Sequence, residues 1–187
     1  MNAFAADIRA LLADRLARAS ASDVLALASA LCANEDRVGA PTPGPPRFTK
    51  LGAAGRAVPD SATDWVAVYD SRENLTWTRS VLDCGEVDHA DALKSARAVR
   101  LFGATDWDAP TIQQQLSIID YERFDPAIDT TYFDGPTGWC WTKTLAKSPS
   151  ECAWFVGLDA GYSGRGHRSV HARVRAVRAG QQLGLGV

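Results

Sequence analysis

Two helical patterns precede a proline-rich stretch at the start of the chain. Apolar residues at helical spacing predict an amphipathic helix over about residues 3–18, with Phe4, Ile8, Leu11, Leu12 and Leu16 on one face. A second helix is predicted from Ser22, which can cap it, to about Asn34. Closely spaced prolines and glycines in 39–46 then hold the backbone extended. The pattern therefore predicts a helical segment over 1–36 and a linker over 37–60.

Short strands and helices are predicted from residue 61 onward. Aromatic and β-branched residues in 65–69 and 75–78 flank a polar turn, which indicates a β-hairpin. Residues 88–101 have helical spacing, and Gly103 ends that helix. Thr111 and Gln114 have the spacing of a capping box, so they predict a further helix that ends near Asp120. Residues 121–138 lack periodicity and are predicted to form a long surface loop.

Antiparallel strands are predicted for the last third of the chain. Residues 139–144 and 152–158 flank a turn-rich connection. Glycine-rich residues 157–166 are predicted to be an exposed loop that leads into a final strand over 170–178. In that strand one face is apolar and should be buried, comprising Val170, Ala172, Val174 and Ala176. The other face carries His171, Arg173 and Arg175.

Composition and charge narrow the possible functions. The chain has 187 residues, of which 46% are hydrophobic and 22% charged, and a net charge of −2. This balance gives no electrostatic basis for binding nucleic acid or an anionic membrane. Charged residues interrupt every long apolar stretch, so neither a membrane span nor a signal peptide is predicted. We therefore expect synthesis in the cytoplasm.

Five segments occur in a characteristic order along the chain: 65–70, 74–79, 103–111, 138–144 and 170–178. They contain a Leu-Thr-Trp hairpin, an Asp-Trp-x-x-Pro-Thr turn that opens a helix, a Trp-Thr strand and a closing Val-Arg-x-Val-Arg strand. This succession resembles the Lcl C-terminal domain family, found at the end of a bacterial collagen-like adhesin. The resemblance covers about residues 62–180.

The resemblance implies a fold and a class of function. That family is similar in architecture to C-type lectin and formylglycine-generating-enzyme folds. We therefore expect an α+β protein with a C-type lectin-like core of short antiparallel strands and two helices. The core would occupy a recognition domain over 61–187, preceded by the N-terminal helical pair. Asp108 and Ala109 stand where the family pattern has Arg and Leu, so the local charge partner must differ here.

Six residues are candidates for ligand binding. Tyr162 and Arg165 lie in the glycine-rich segment predicted to be exposed, and His167 and Arg168 follow it directly. Trp139 and Trp141 share one face of a strand, so we expect both to be buried or both to be presented. An exposed indole offers a flat apolar face to a sugar ring. The alternatives are a merely solvated loop and tryptophans that fill the core.

Basic and acidic side chains permit several further interpretations. His171, Arg173 and Arg175 could bind anionic groups, or they could pair with acids within the fold, namely Asp83, Glu86 and Asp88. Scattered aspartates in 121–159 lack the dense spacing of a calcium loop, and no metal or cofactor is predicted. Cys140 and Cys152 could lie opposite each other in a hairpin. The three histidines fall in no catalytic motif, so we do not expect an enzyme.

The sequence thus favours a non-enzymatic recognition or attachment module. Its expected partner is a cell-surface glycan or protein receptor. The N-terminal helices would bind copies of the chain, forming a homo-oligomer such as a trimer, or a larger assembly. A phage or prophage tail or fibre is one setting for such a module. The alternatives are an intracellular protein-binding inhibitor on the same scaffold and a cysteine-dependent redox enzyme.

Overall fold

Two antiparallel sheets and two helices are present in residues 46–180, the part of the chain that the computed structural model describes. The strands are β1 (Phe48–Leu51), β2 (Ala67–Asp70), β3 (Leu75–Thr78), β4 (Trp139–Leu145), β5 (Cys152–Gly157), β6 (Ser163–His167) and β7 (Val177–Ala179). The helices are α1 (His89–Ala98) and α2 (Ile112–Ser117). Neither of these helices is long and apolar enough to cross a bilayer. The predicted N-terminal helical pair lies outside the described residues.

The first sheet has the strand order β1-β2-β3-β7 and contains the predicted hairpin. β2 and β3 pair antiparallel, with Val68 opposite Trp77, which confirms the hairpin. The sheet begins earlier than the sequence indicates, because β1 lies inside the segment predicted as linker. Two contacts explain why an extended segment there becomes a strand. The ring of Phe48 packs 5.2 Å from that of Phe133, and Lys50 lies 3.8 Å over the Trp65 ring.

Local capping defines both helices. Asp88 caps α1 by accepting a hydrogen bond from the Asp91 N–H. The predicted capping box at α2 is confirmed: Gln114 N–H donates to the Thr111 hydroxyl, and the Thr111 N–H donates to the Gln114 side chain. Both helices are shorter than predicted. α1 ends at Ala98, before a 3₁₀ turn over Leu101–Gly103, and α2 ends at Ser117.

The second sheet has the strand order β4-β5-β6. β4 and β5 are the two strands predicted there, but the prediction of an exposed loop over 157–166 is wrong in its second half, where β6 forms. Glycines normally weaken a strand, yet here they fit because aromatic rings fill the space beside them. A Cβ atom at Gly164 would lie 2.6 Å from the Phe155 ring, and one at Gly166 would lie 3.3 Å from Trp141.

The segment 170–178 runs from the second sheet to the first. Ala172 forms a bridge to Val87 and Arg173 one to Cys140, while only the end of the segment becomes a regular strand, β7, beside β3. The expected burial is confirmed for Ala172, Val174 and Ala176, whereas Val170 is only half-buried. The opposite face is not uniformly exposed, because Arg175 is fully buried. Its guanidinium donates to three backbone carbonyls, those of Thr78, Arg79 and Asp134.

The loop over 121–138 belongs partly to the core. It contains no helix or strand, as predicted, but Ala127, Ile128 and Phe133 are buried. The loop is held against the end of β5, since the Ala127 N–H donates to the Leu158 carbonyl over 2.7 Å. Residues 121–125, which include Tyr121 and Phe124, are exposed, as are residues 130, 131, 135 and 136. The segment is therefore a surface loop that is anchored to the core by a few buried residues.

Candidate functional site

Three aromatic residues form an exposed surface on one face of the second sheet. We call Trp139, Phe155 and Tyr162 the aromatic patch. The indole of Trp139 stacks on Phe155 with ring centroids 4.5 Å apart and planes 20° apart. Tyr162 meets Phe155 edge to face at 6.3 Å, and its hydroxyl oxygen accepts a hydrogen bond from the Trp139 Nε1–H. Trp139 is 42% exposed and Tyr162 is 43% exposed, whereas Phe155 is buried beneath them.

Glycines make room for this arrangement. Gly157 lies opposite Trp139 in the β4–β5 pair, and a Cβ atom there would overlap the Tyr162 ring. Gly161 adopts φ of +73°, which glycine tolerates best, and so turns the chain sharply between β5 and β6. The turn brings Tyr162 back over the sheet. Because Gly157 and Gly161 have no side chains, the backbone can place the Tyr162 ring directly against the sheet.

Trp141 does not share the exposure of Trp139, so the expectation that both are buried or both are presented is wrong. Trp141 is fully buried. Its Nε1–H donates to the Val87 carbonyl over 3.2 Å, and its ring meets His89 edge to face at 5.3 Å. Helix α1 and the segment before β7 cover this end of the sheet face and leave the Trp139 end open. Trp141 therefore packs beside the patch, edge to face with Phe155 at 6.1 Å, and does not present a ring to a ligand.

The other candidate residues lie on separate surfaces. Arg165 projects from the opposite face of β6, where its guanidinium lies 5.8 Å over the Trp154 ring and donates to the Ser148 carbonyl. His167 and Arg168 are exposed beside a cleft of about 320 Å³. His167 contacts the Ser169 hydroxyl at 2.7 Å. The structure thus joins Trp139 with Tyr162 and separates both from the basic residues.

Several charged residues near the sheets are paired within the fold. Arg173 pairs with Glu86 at 2.6 Å, which is one of the internal pairs expected for it. Asp108 pairs with Lys143 at 3.1 Å and with Arg97 at 3.0 Å. Burial raises the pKa of Asp108, but the hydrogen bond and charge of Lys143, with the charge of Arg97, bring it below its ordinary value. These contacts leave no continuous basic stripe along 171–175 in the described structure.

The two cysteines considered for a bridge are not neighbours across the hairpin. Cys140 lies opposite Val156, and Cys152 lies opposite His167 on β6. Both are free thiols. Burial raises the pKa of Cys140 to about 11, although Arg175 and Arg173 act in the other direction.

This burial predicts the order in which the thiols react. At pH near 8 we expect Cys84 and Cys152, which are partly exposed, to be alkylated on the order of 100-fold faster than Cys140. Mass spectrometry of the alkylated peptides measures the rates. The same reaction in concentrated guanidinium should remove the difference. Equal rates in the native protein would show that Cys140 is accessible and ionisable.

The burial of His89 leads us to expect that the folded protein loses stability in mild acid. Burial lowers the pKa of His89 below 6.5, more than the hydrogen bond to the Thr142 carbonyl raises it. In the unfolded chain the imidazole of His89 has a pKa near 6.5, so it binds a proton more readily than it does in the folded protein. Stability is therefore full above pH about 6.5 and is lost as the pH falls through the lower folded-state pKa. Thermal melting at stepwise pH should show this loss in the native protein and a flatter profile in His89→Gln, and matching profiles would contradict it.

Together the fold and the exposed aromatic patch define a strand-rich α+β domain with a candidate ligand-binding face. The chain belongs to the Lcl C-terminal domain family, whose model matches residues 66–178. The match confirms the family indicated by the ordered sequence segments. No match was found among the curated proteins or among the solved structures. Phe155, which holds the exposed indole, is not among the residues predicted from sequence, because its position depends on the strand register, which sets it opposite Trp141, and on the packing of its ring against Trp139.

Proposed function

We propose that this domain is a non-catalytic recognition module that binds a saccharide through the aromatic patch. The observation that carries the proposal is the fixed and exposed indole of Trp139. Phe155 holds one face of the ring, and the Tyr162 hydroxyl holds its Nε1–H. A rigid aromatic ring loses little conformational entropy when a ligand binds, and it presents a flat apolar surface. The apolar face of a sugar ring is the ligand that such a platform fits.

Membership in the Lcl C-terminal domain family supports an attachment role. The disposition of the histidines supports the absence of catalysis. His89 is buried against Trp141, His167 contacts Ser169, and His171 is exposed on a different segment. Within residues 46–180, none of the three histidines makes a ring contact or hydrogen bond with a residue of the aromatic patch. The patch offers apolar contact and a hydroxyl group, which suit binding.

A more specific version of this proposal is that the domain serves as an attachment module on a phage or prophage tail or fibre. Residues 1–36 would then join copies of the chain or a larger assembly. This form rests on the expectations drawn from the sequence and on the attachment role above. Mass spectrometry of purified particles tests it directly. Particles assembled without the protein would remove this form and leave saccharide binding untouched.

A glycan array followed by calorimetry tests the proposal. We expect the native protein to bind one group of saccharides and Trp139→Ala to bind them at least about tenfold more weakly, because the stacking surface is gone. Tyr162→Phe keeps the ring but loses the hydroxyl that holds the indole, so a smaller loss is expected. Arg165→Ala, on the opposite face of the sheet, is the matched control and should bind as the native protein does. Retained binding in Trp139→Ala, or no saccharide bound at all, would refute the proposal.

A further inference from the structure

The outer edge of β6 is bare along most of its length in the described part of the chain. The outer edge of β1 is covered at its C-terminal end, where the Val58 N–H donates to the Lys50 carbonyl. β7 exchanges two hydrogen bonds with Asp108, and β4 is covered by Arg173 and Pro110. Among residues 46–180, no such backbone partner lies along the outer edge of β6 between residues 163 and 166. Unpaired strand edges are templates for a further strand.

The register of β6 determines which backbone groups are free. Tyr162 accepts from the Gly157 N–H, and the Arg168 N–H donates to Glu151. Hydrogen bonding alternates along an antiparallel pair, so even-numbered residues of β6 face β5 and odd-numbered residues face outward. The outward groups are the N–H and C=O of Ser163, the N–H and C=O of Arg165, and the N–H of His167. Ser163 and Arg165 are both exposed.

The charge and size of the neighbouring side chains determine which kind of strand can pair with the outer edge of β6. Arg165 and Lys147 line a groove of about 670 Å³ on one face of the second sheet, and no acidic residue lines it. Neither cation forms an ion pair with an acidic side chain of the described residues. On the other face, the rings of Phe155 and Trp141 occupy the space beside Gly164 and Gly166. An added strand would meet positive charge on one face and an apolar shelf on the other.

A second copy of the chain fits this edge poorly. Symmetric antiparallel pairing of two β6 strands about their centre places Arg165 opposite Arg165. Like charges directly opposite each other destabilise a strand pair. A different chain with acidic residues at those positions has no such penalty.

From these observations we infer that the outer edge of β6 binds an extended peptide segment of a partner protein, in which acidic and apolar residues alternate. The segment adds a fourth strand to the second sheet. Backbone hydrogen bonds to Ser163 and Arg165 supply its register. Its acidic residues face Arg165 and Lys147, and its apolar residues lie on the same face as Gly164 and Gly166, next to the Phe155 ring. The site borders the aromatic patch at Phe155 but does not use the exposed rings of Trp139 and Tyr162, and it does not depend on saccharide binding.

Fluorescence anisotropy with two labelled peptides tests the chemistry of the partner. The first is Thr-Val-Glu-Val-Glu-Val-Thr, and the second has lysine in place of each glutamate. With the full chain, we expect the glutamate peptide to bind at least tenfold more tightly. Trp139→Ala should leave this binding unchanged, which separates the result from the saccharide proposal. Equal binding of the two peptides, or no binding of the glutamate peptide, would overturn the inference.

A matched pair of variants tests the strand geometry. Ser163→Pro removes an outward N–H that β5 does not use, a position where a sheet tolerates proline. Ser163→Ala removes the hydroxyl and keeps the N–H. We expect Ser163→Pro to bind the glutamate peptide at least tenfold more weakly and Ser163→Ala to bind it normally. Equal affinities of the two variants would contradict strand addition.

Hydrogen exchange in the native protein provides a test that needs no substitution. When the glutamate peptide is added, the amides of Ser163 and Arg165 should become protected, while that of Gly164, already directed toward β5, should change little. Binding without protection at these two amides would refute the site. Sedimentation gives a further test, because a dimer that Ser163→Pro abolishes would assign the edge to a second copy and overturn the choice of partner.

Discussion

We expect Trp141→Ala to lower the free energy of unfolding by about 3–5 kcal/mol, since a fully buried indole is replaced by a small side chain. The loss includes packing against His89 and Phe155 and the hydrogen bond to Val87. Chemical denaturation followed by far-ultraviolet circular dichroism measures it without relying on tryptophan emission.

The matched control is the same substitution two residues earlier on the same strand. Trp139→Ala removes an exposed ring and one stacking contact, so we expect a loss below about 1.5 kcal/mol. Losses of similar size in the two variants would contradict the asymmetry between the two ends of this sheet face. A small loss in both would show that Trp141 is not a core residue.

Arg175→Met should lower the free energy of unfolding by about 3 kcal/mol, although methionine has a similar length. The guanidinium donates to the carbonyls of Thr78, Arg79 and Asp134 in a fully buried position. Without the guanidinium, these carbonyl oxygens stay buried with no hydrogen-bond donor, so the free-energy cost of removing them from water is no longer offset. Burial lowers the pKa of Arg175 to about 10, so the group still carries its charge at neutral pH.

Arg97→Met is the control for this second variant. Arg97 pairs with Asp108, but its side chain is largely exposed, and exposed ion pairs contribute at most about 1 kcal/mol. We therefore expect Arg175→Met to shift the denaturation midpoint far more than Arg97→Met. Equal shifts would show that the three carbonyls find other donors when Arg175 is absent.

Local signals in the sequence identified most of the regular elements. The capping box at Thr111 and Gln114 and the polar turn between β2 and β3 depend on residues close together in the chain. Such patterns are visible without knowledge of the tertiary fold. β6 was missed because its glycines indicate a loop when taken alone. They form a strand here because Phe155 and Trp141 occupy the space that side chains would need.

The candidate site was predictable only in part. Tyr162 and Trp139 were selected from sequence, and the structure brings them into contact through a hydrogen bond. Their separation from Arg165 and His167 depends on which face of β6 each side chain occupies. Trp139 is exposed and Trp141 is buried because α1 covers only part of this face of the sheet. Two-residue periodicity assigns residues to a face, but it does not show where that face is covered.

The segment that joins the two sheets is also the last part of the described chain to be synthesised. β7 pairs with β3, and Arg175 binds a carbonyl 97 positions earlier in the chain. Contacts of such long sequence separation form slowly and cannot form before both partners exist. The first sheet therefore cannot gain its last strand until residue 179 has left the ribosome, and the edge of β4 in the second sheet stays open until Arg173 has done so. Until then the nascent chain exposes hydrophobic surface that the finished domain buries, and such surface promotes aggregation during synthesis.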